Sequence, residues 1–410
     1  MKNVEPAYTP HLAPAAIAIL LLMAVVTWFA RHASNIERRN IHALAPDWFQ
    51  QKTQGIALQT LAFRERDILP VYGSSELGVQ SVSQRPYQPA ELFRSSPTGF
   101  TVFSVFEGGL TTLITLQKIS AVGDAAKGGK VVISMAPGWF QKPMADLEYY
   151  AGNFSRLHAL ETLFSTRLDF TTRHDIAIRM LDYPKTIEDA PVIAFALARL
   201  AGNSTGDRAL LLAAFPLGKL QAASFRLQDH WQTLDYIRKN PSASPQHTGR
   251  GLDWAELRAR AGSEKKVYAT NNPFGFDDEF WNAKKDILLK HDTSRGYLDR
   301  ENKSKEWIDF ELLLRVLGQS GAKTFVIVPP RSAGFLAHIG VEDHALASFY
   351  PRIRELCRKN GAPVLDFAET EKSGWLVIDA YGHPSPVCLV DLAKAMDDVY
   401  HDRAPGRAGN

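Results

Sequence analysis

The sequence predicts a doubly wound α/β fold, a parallel sheet with helices on both faces, behind an N-terminal transmembrane helix. Three observations carry this. Short apolar runs enriched in β-formers, such as Ile68-Leu69-Pro70-Val71-Tyr72 and Thr101–Phe106, stop abruptly at glycine, serine or an acidic residue, as buried parallel strands do. Segments with helical spacing stand between successive runs, and strand–helix–strand alternation closes into parallel sheets. With 410 residues, 45% hydrophobic and 22% charged, the chain is globular in composition and can bury a substantial core.

Leu12 to Ala30 is an uncharged, mostly apolar run, close to the ~20 residues a helix needs to cross a bilayer core. It outruns the centre of a cleaved signal peptide and carries Trp28 where an interfacial anchor belongs. Residues 1–30 therefore read as a short tip and an uncleaved anchor that binds membrane lipid. Arg31, Arg38 and Arg39 follow it, and only Lys2 and the amino terminus precede it. Counting positive charges puts the large domain in the cytoplasm, although long domains translocate largely regardless of charge. Residues 31–67 form a partly helical juxtamembrane segment, and 68–405 the main domain.

The first strand closes on Gly73-Ser74-Ser75-Glu76-Leu77. Glycine lets the backbone fold back, and the serines suit a turn, a helix cap, or a crevice-facing site at the carboxyl end of a strand. Glu76 suits the first turn of a helix. Gln80–Thr98, rich in Pro, Ser and Gln, predicts a surface loop. A second strand, Thr101–Phe106, closes on Glu107-Gly108-Gly109, and Leu110–Ser120 is helical. A third, Lys130–Met135, ends in Ala136-Pro137-Gly138-Trp139-Phe140. From about 146 to 257 strand signals are missing, which predicts a helical insertion. Within it, Val192–Ala201 and Arg208–Leu220 are apolar but too short to span, and read as buried helices; an interfacial contact with a membrane partner is the alternative. Trp231, Tyr236 and Trp254 fit helix packing. Ala269–Phe276 is a turn-rich linker. Glu306–Gly318 is an amphipathic helix, and Gly321-Ala322-Lys323 leads into a strand at Thr324–Val328 closed by Pro329-Pro330. A helix at Arg352–Lys359, a last strand at Pro363–Phe367, a loop over Gly374–Pro386 and a helix at Val387–Tyr400 complete the chain.

A net charge of +3, with no basic run or aromatic-interleaved basic patch, gives no warrant for nucleic-acid binding. Cys357 and Cys388 lack metal-ligand spacing; one disulfide and two separate buried thiols both fit. Zinc spacings, a Walker A loop and Gly-x-Gly-x-x-Gly after a strand are all missing, so no metal or cofactor is expected.

Gly73-Ser74-Ser75-Glu76-Leu77 resembles the nucleophile block of the DltD family, the D-alanyl transfer proteins of envelope-polymer D-alanylation. Ala136-Pro137-Gly138-Trp139-Phe140, Thr270-Asn271-Asn272-Pro273-Phe274-Gly275 and Gly321-Ala322-Lys323 with its strand and Pro329-Pro330 resemble the same family in the same order. The resemblance implies a flavodoxin-like fold related to SGNH/GDSL hydrolases and a main domain on the outer face of the membrane. It implies, as partners, a membrane O-acyltransferase (DltB-like), a D-alanyl carrier protein (DltC-like) that is cytoplasmic and reached through the membrane partner, and an envelope polymer such as a teichoic acid.

Aligning Gly73-Ser74-Ser75 with the Gly-Asp-Ser block makes Ser75 the nucleophile, with Ser74 bracing the turn. A serine needs a base, and the base a third group to hold it. His383, in Asp379-Ala380-Tyr381-Gly382-His383-Pro384, is the candidate base and Asp379 its orienting carboxylate. The family has two residues between these positions and this chain three, so Asp379 or a backbone carbonyl fits the orienting role. Pro384-Ser385-Pro386 replaces the family's Leu-Gly after the histidine. Backbone N–H groups of Ser75 and of Gly108 or Gly109 are expected to hold the oxyanion. The usual third donor, an asparagine, is replaced in its region by Gly138; Asn271 and Asn272 fit a structural turn better than that role. The same site suits acyl transfer or an esterase or thioesterase, and a scaffold with a degenerate site is the reading from another class.

Overall fold

The computed structural model describes residues 12–94, 98–241 and 251–407; the N-terminal tip with Lys2, and residues 95–97 of the loop after the first strand, lie outside them. Five strands, β1 (Ile68–Gly73), β2 (Thr101–Phe106), β3 (Lys130–Ser134), β4 (Lys323–Val328) and β5 (Val364–Asp366), pair in parallel in the order β2-β1-β3-β4-β5. This is the predicted α/β class. Every residue of β1 is buried, because helices cover both faces. Tyr72, Phe103, Ile133 and Val326 point into one layer; Leu69, Val71, Val132 and Ile327 point into the other.

The helix Thr112–Val122, capped by Thr111, fills the first layer together with Glu306–Ser320. The C-terminal helix Pro386–Tyr400 fills the second. Pro386 stands in its first turn and the Ser385 hydroxyl accepts the Cys388 N–H at 3.2 Å. The chain reverses direction across the sheet between β1 and β3: β2 adds on one side of β1, and β3, β4 and β5 on the other. That switch point is where loops at the carboxyl ends of the strands diverge and leave a crevice.

All the helices from Leu147 to Lys303 lie between β3 and β4. Arg179 ties this lobe to the crossover helix by a bidentate, buried pair with Asp309 (2.7 and 2.9 Å). Val192–Ala201 falls in a helix Pro191–Gly202, and Arg208–Leu220 in one long helix, Thr205–Lys239, that continues through Pro216. The sequence predicts both to be buried; the first buries only one side, through Ile193, Ala196, Leu197 and Leu200, and Leu212 and Leu220 of the second stand exposed. Tyr236 stacks on Phe49 (3.8 Å) and Trp254 meets Phe93 (6.3 Å), as helix packing, whereas Trp231 is mostly exposed beside Phe29.

Two further features of the sequence reading are refined by the structure. The apolar run ends near Ala30 but the helix does not: with no glycine or proline between there and Leu44, one helix runs Leu12–Leu44, which makes the first part of the juxtamembrane segment helical. The segment Gln80–Thr98 is only partly a surface loop. A capped 3-10 turn, Val82–Tyr87, and a short helix, Pro89–Leu92, bury Gln84, Tyr87 and Phe93. Its glutamines, read as surface residues, instead satisfy buried backbone: Gln84 accepts the Gln80 and Ser81 N–H groups and donates to the Pro384 carbonyl at 2.7 Å. Cys357 and Cys388 are both free and buried, in different layers, which is one of the two arrangements the sequence leaves open. Leu313, fully buried under the sheet, tests the first layer: Leu313→Ala is expected to lower the unfolding free energy by about 2–5 kcal/mol in denaturant titration, without moving the active-site loops.

Candidate active site

β1 ends level with β2, Gly73 opposite Phe106, and the chain turns at once. A Cβ on Gly73 would stand 2.6 Å from Glu76 Oε1 and 2.7 Å from Leu77, so only glycine allows this close approach. Ser75–Leu77 forms one 3-10 turn, closed by the Leu77 N–H on the Ser74 carbonyl (3.1 Å) and the Gly78 N–H on the Ser75 carbonyl (3.0 Å). Ser75 is left half-buried and facing the crevice. Ser74 is buried and braces the turn: its hydroxyl donates to the Glu107 carbonyl at 3.3 Å, its N–H to Glu76 at 2.9 Å.

The structure brings the predicted histidine and aspartate to this turn. His383 Nε2 lies 2.9 Å from Ser75 Oγ, and His383 Nδ1 lies 2.5 Å from Asp379 Oδ2. The extra residue between Asp379 and His383 is taken up locally. Asp379 Oδ1 accepts the N–H groups of Tyr381 (3.0 Å) and His383 (3.1 Å), and Gly382 adopts φ +86°. One carboxylate therefore caps the loop and meets the ring. The loop is pinned at its base by an antiparallel bridge, Val377 to Pro384, and by the Ile378 N–H on the His383 carbonyl (3.0 Å).

The electrostatics suit a base. Burial pulls the His383 pKa down, but the hydrogen bond and charge of Asp379, with the charge of Glu76, outweigh it and leave the pKa above 6.5. The Glu76 carboxyl is itself fully buried. Burial raises its pKa, only partly offset by the N–H groups of Ser74 and Glu76, the Ser134 hydroxyl and the His383 charge. Of the two glycines after β2, Gly108 turns its N–H toward its neighbour Glu107 (3.3 Å), and Gly109 adopts φ +76° beneath Tyr149, where a Cβ would be 2.3 Å from the ring. Gly138 borders the same crevice, facing the Tyr381 carbonyl. Trp139, Tyr149 and Tyr381 form an aromatic rim, the first two packed edge to face at 5.5 Å.

A family model described as DltD protein matches residues 45–384. The chain belongs to the DltD family. It is similar to Protein DltD of Bacillus subtilis, 26% identical over 362 residues that cover 87% of this chain and 88% of that one. Protein DltD of Staphylococcus aureus is 22% identical over 376 residues, covering 91% and 90%. Protein DltD of Lacticaseibacillus rhamnosus is 25% identical over 352 residues, covering 81% and 76%.

Within this DltD-family chain, the Thr270–Gly275 motif is structural, as expected for its asparagines. Asn272 Oδ1 accepts the Phe274 and Phe276 N–H groups and its Nδ2 donates to the Phe276 carbonyl, while Asn271 is turned to Asn282. Neither serves the crevice. The motif instead floors the histidine loop: Asp277 N–H donates to the Ile378 carbonyl at 2.9 Å, and Gly275 presses on Gly374 so closely that a Cβ would be 2.3 Å from its carbonyl.

Two residues of the site are not legible as such in the sequence. Glu76 reads as a helix-turn carboxylate, and its one signal is an acidic residue three positions after the end of a buried strand. Lys265 reads as one surface lysine among several; it is buried and donates to the Val377 and Gly275 carbonyls, both at 2.6 Å, tying the histidine loop to its floor. Burial lowers its pKa to about 8, against the pull of Asp277.

Glu76 yields a test. Its folded pKa lies above its unfolded value, so the folded state retains a proton that the unfolded chain gives up. The associated stability is present below the unfolded pKa and is lost as pH rises through the folded pKa. Glu76→Gln is expected to match the wild type at acid pH and to exceed it by on the order of 1 kcal/mol at neutral pH, read from denaturant midpoints across a pH series.

Proposed function

We propose that this protein is a serine-dependent acyl-transfer protein of D-alanylation, acting from the outer face of the membrane. Membership of the DltD family ties it to that pathway. The observation that carries the mechanism is the unbroken hydrogen-bond chain from Ser75 through His383 to Asp379 at the end of β1. Glu76, the two glycines and the aromatic rim surround that chain.

In this reading a D-alanyl ester or thioester enters the crevice over Ser75. His383 Nε2 takes the hydroxyl proton as Ser75 Oγ bonds to the carbonyl carbon. Asp379 stabilises the imidazolium through Nδ1. The N–H groups of Ser75 and Gly109 receive the oxyanion, Gly108 being engaged with Glu107. The tetrahedral intermediate collapses, His383 returns the proton to the departing alcohol or thiol, and an acyl-serine remains. A polymer hydroxyl, deprotonated by the same histidine, then takes the D-alanyl group and frees Ser75. A membrane O-acyltransferase supplies the donor; the D-alanyl carrier protein charges it from the cytoplasmic side. The helix Leu12–Leu44 anchors the catalytic domain by one membrane pass, with the amino terminus cytoplasmic.

Envelope D-alanyl ester content, measured at matched protein levels in cells carrying wild type, Ser75→Ala or His383→Ala, tests this directly. Both variants are expected to fall to the level of the deletion strain, and in a purified assay transfer should drop by about three orders of magnitude or more. Wild-type content in both variants would leave a holding role for the protein and none for the site. Water in place of the polymer as acceptor would make the protein an esterase, and product analysis with and without polymer separates the two.

The pH dependence has a defined sign. Neutral His383 is the active form and its pKa lies above 6.5, so transfer should rise with pH through a midpoint above that value. Asp379→Asn removes the carboxylate whose hydrogen bond and charge do most to raise that pKa. The midpoint should shift to lower pH as the maximal rate falls.

A further inference from the structure

The long helix Thr205–Lys239 is built inside out for a helix facing water. Its inner side packs tightly on the domain: Leu211 is buried, and Gly218 sits so close to Phe164 that a Cβ would be 2.4 Å from the ring. On its outer side Leu210, Leu212, Leu217 and Leu220 stand exposed, Leu212 by 73% and Leu220 by 69%. These two exceed the exposure of Leu20 and Leu22 in the apolar part of the anchor, 60% and 63%. From Ala209 to Gly218 no residue is charged. The cations that follow, Lys219 and Arg226, turn inward to Glu161 of the domain at 2.9 and 2.8 Å. Water would favour the opposite arrangement, with cations outside and leucines within.

The same helix is fastened to the membrane anchor. Val26, Ala30 and Ser34 of the anchor share a groove with Ala223, Leu227 and His230. His230 Nδ1 meets Glu37 at 2.8 Å, beyond the apolar run, and Trp231 lies 6.4 Å from Phe29. With His230 held toward the domain end of the anchor, and Ala223 and Leu227 against its apolar end, the two helices run in the same sense. The turns that precede Ala223 therefore extend toward the bilayer. Trp28 and Trp231, both exposed, mark the level at which the chain leaves it.

We propose that the outer face of this helix, from Leu210 to Leu220, is seated among the phospholipid acyl chains of the bilayer that the anchor enters, alongside the anchor's own apolar run. The occupant is lipid. The leucine stripe is continuous with the anchor's own lipid-facing surface, and the mid-helix charges have been withdrawn from it. The contact gives the domain a second attachment and fixes its tilt over the membrane, which a single helix cannot do.

Site-directed labelling of the full chain tests this without reference to any activity. Cys357 and Cys388 are buried, so an environment-sensitive fluorophore can be placed on single cysteines at Leu212→Cys and Leu220→Cys. Ile19→Cys, in the anchor, serves as the lipid reference and Arg238→Cys, at the far end of the long helix, as the water reference. The substituted leucines are exposed, so folding is preserved, and thermal unfolding of each variant checks it. In vesicles of phosphatidylethanolamine and phosphatidylglycerol, with no other protein, labels at 212 and 220 are expected to emit to the blue. Nitroxide lipids should quench them about as strongly as the label at 19 and several-fold more strongly than the label at 238. Labels at 212 and 220 that are quenched by aqueous iodide as freely as the one at 238 would overturn the proposal and leave the face to a protein partner. Lipid quenching at 238 as strong as at 212 would overturn it as well, because the helix would then lie in another direction.

Discussion

β1 is hydrogen-bonded to a strand on each edge and covered by helices on each face, so it has no freedom of register or of exit. Where it stops, the backbone has to leave the sheet within a residue, and the only space available is over the carboxyl ends of β2 and β3. Gly73 makes that exit sterically possible, and the turn it permits sets Ser75 facing outward and Glu76 facing inward. Because β1 and β3 bracket the point where the winding reverses, the loops after both strands open away from one another. The crevice and the residues that line it follow from that geometry.

Holding a histidine over this turn is a separate problem, and the chain solves it with buried polar contacts. Asp379 serves the imidazole with one oxygen and two backbone N–H groups with the other. The extra length of the loop is taken up at Gly382, which adopts positive φ at little cost because it has no Cβ. Lys265, Gln84 and Asp277 reach the same loop from three separate elements. Each places a donor on a carbonyl that would otherwise be buried without a partner, a loss of roughly 1–3 kcal/mol per group. Such contacts add little net stability. Their effect is to exclude other loop conformations and so to hold the His383 ring at a fixed distance from Ser75.

The inserted helices answer a different demand. They fill the long β3–β4 crossover and bury one side against the sheet domain through Arg179–Asp309 and the Thr162 hydroxyl on the Gln117 carbonyl, and the long helix Thr205–Lys239 runs along the N-terminal helix. The Glu37–His230 pair ties the N-terminal helix to the domain, and the Phe49–Tyr236 stack holds the segment just after it, so the apolar helix Leu12–Leu44 is continuous with the body that carries the site.

By itself, the sequence determined the parts whose signals are local. Strand runs ending at Gly73 and Phe106, the apolar run near the N-terminus and the family motifs all read directly, because each depends on neighbours a few residues away. Ser75 and His383 were legible for the same reason, each within its motif. Tertiary structure alone decided what depends on distant partners. It made Glu76 a buried carboxyl beside His383, turned Lys265 and Gln84 inward, and left one side of the Thr205–Lys239 helix bare. It also settled that Asp379, despite the altered spacing, meets the imidazole, because the loop carrying both is shaped by the elements packed beneath it. In each case the environment of a side chain is set by segments far away along the chain or by the layer packed above it, and no local pattern encodes that.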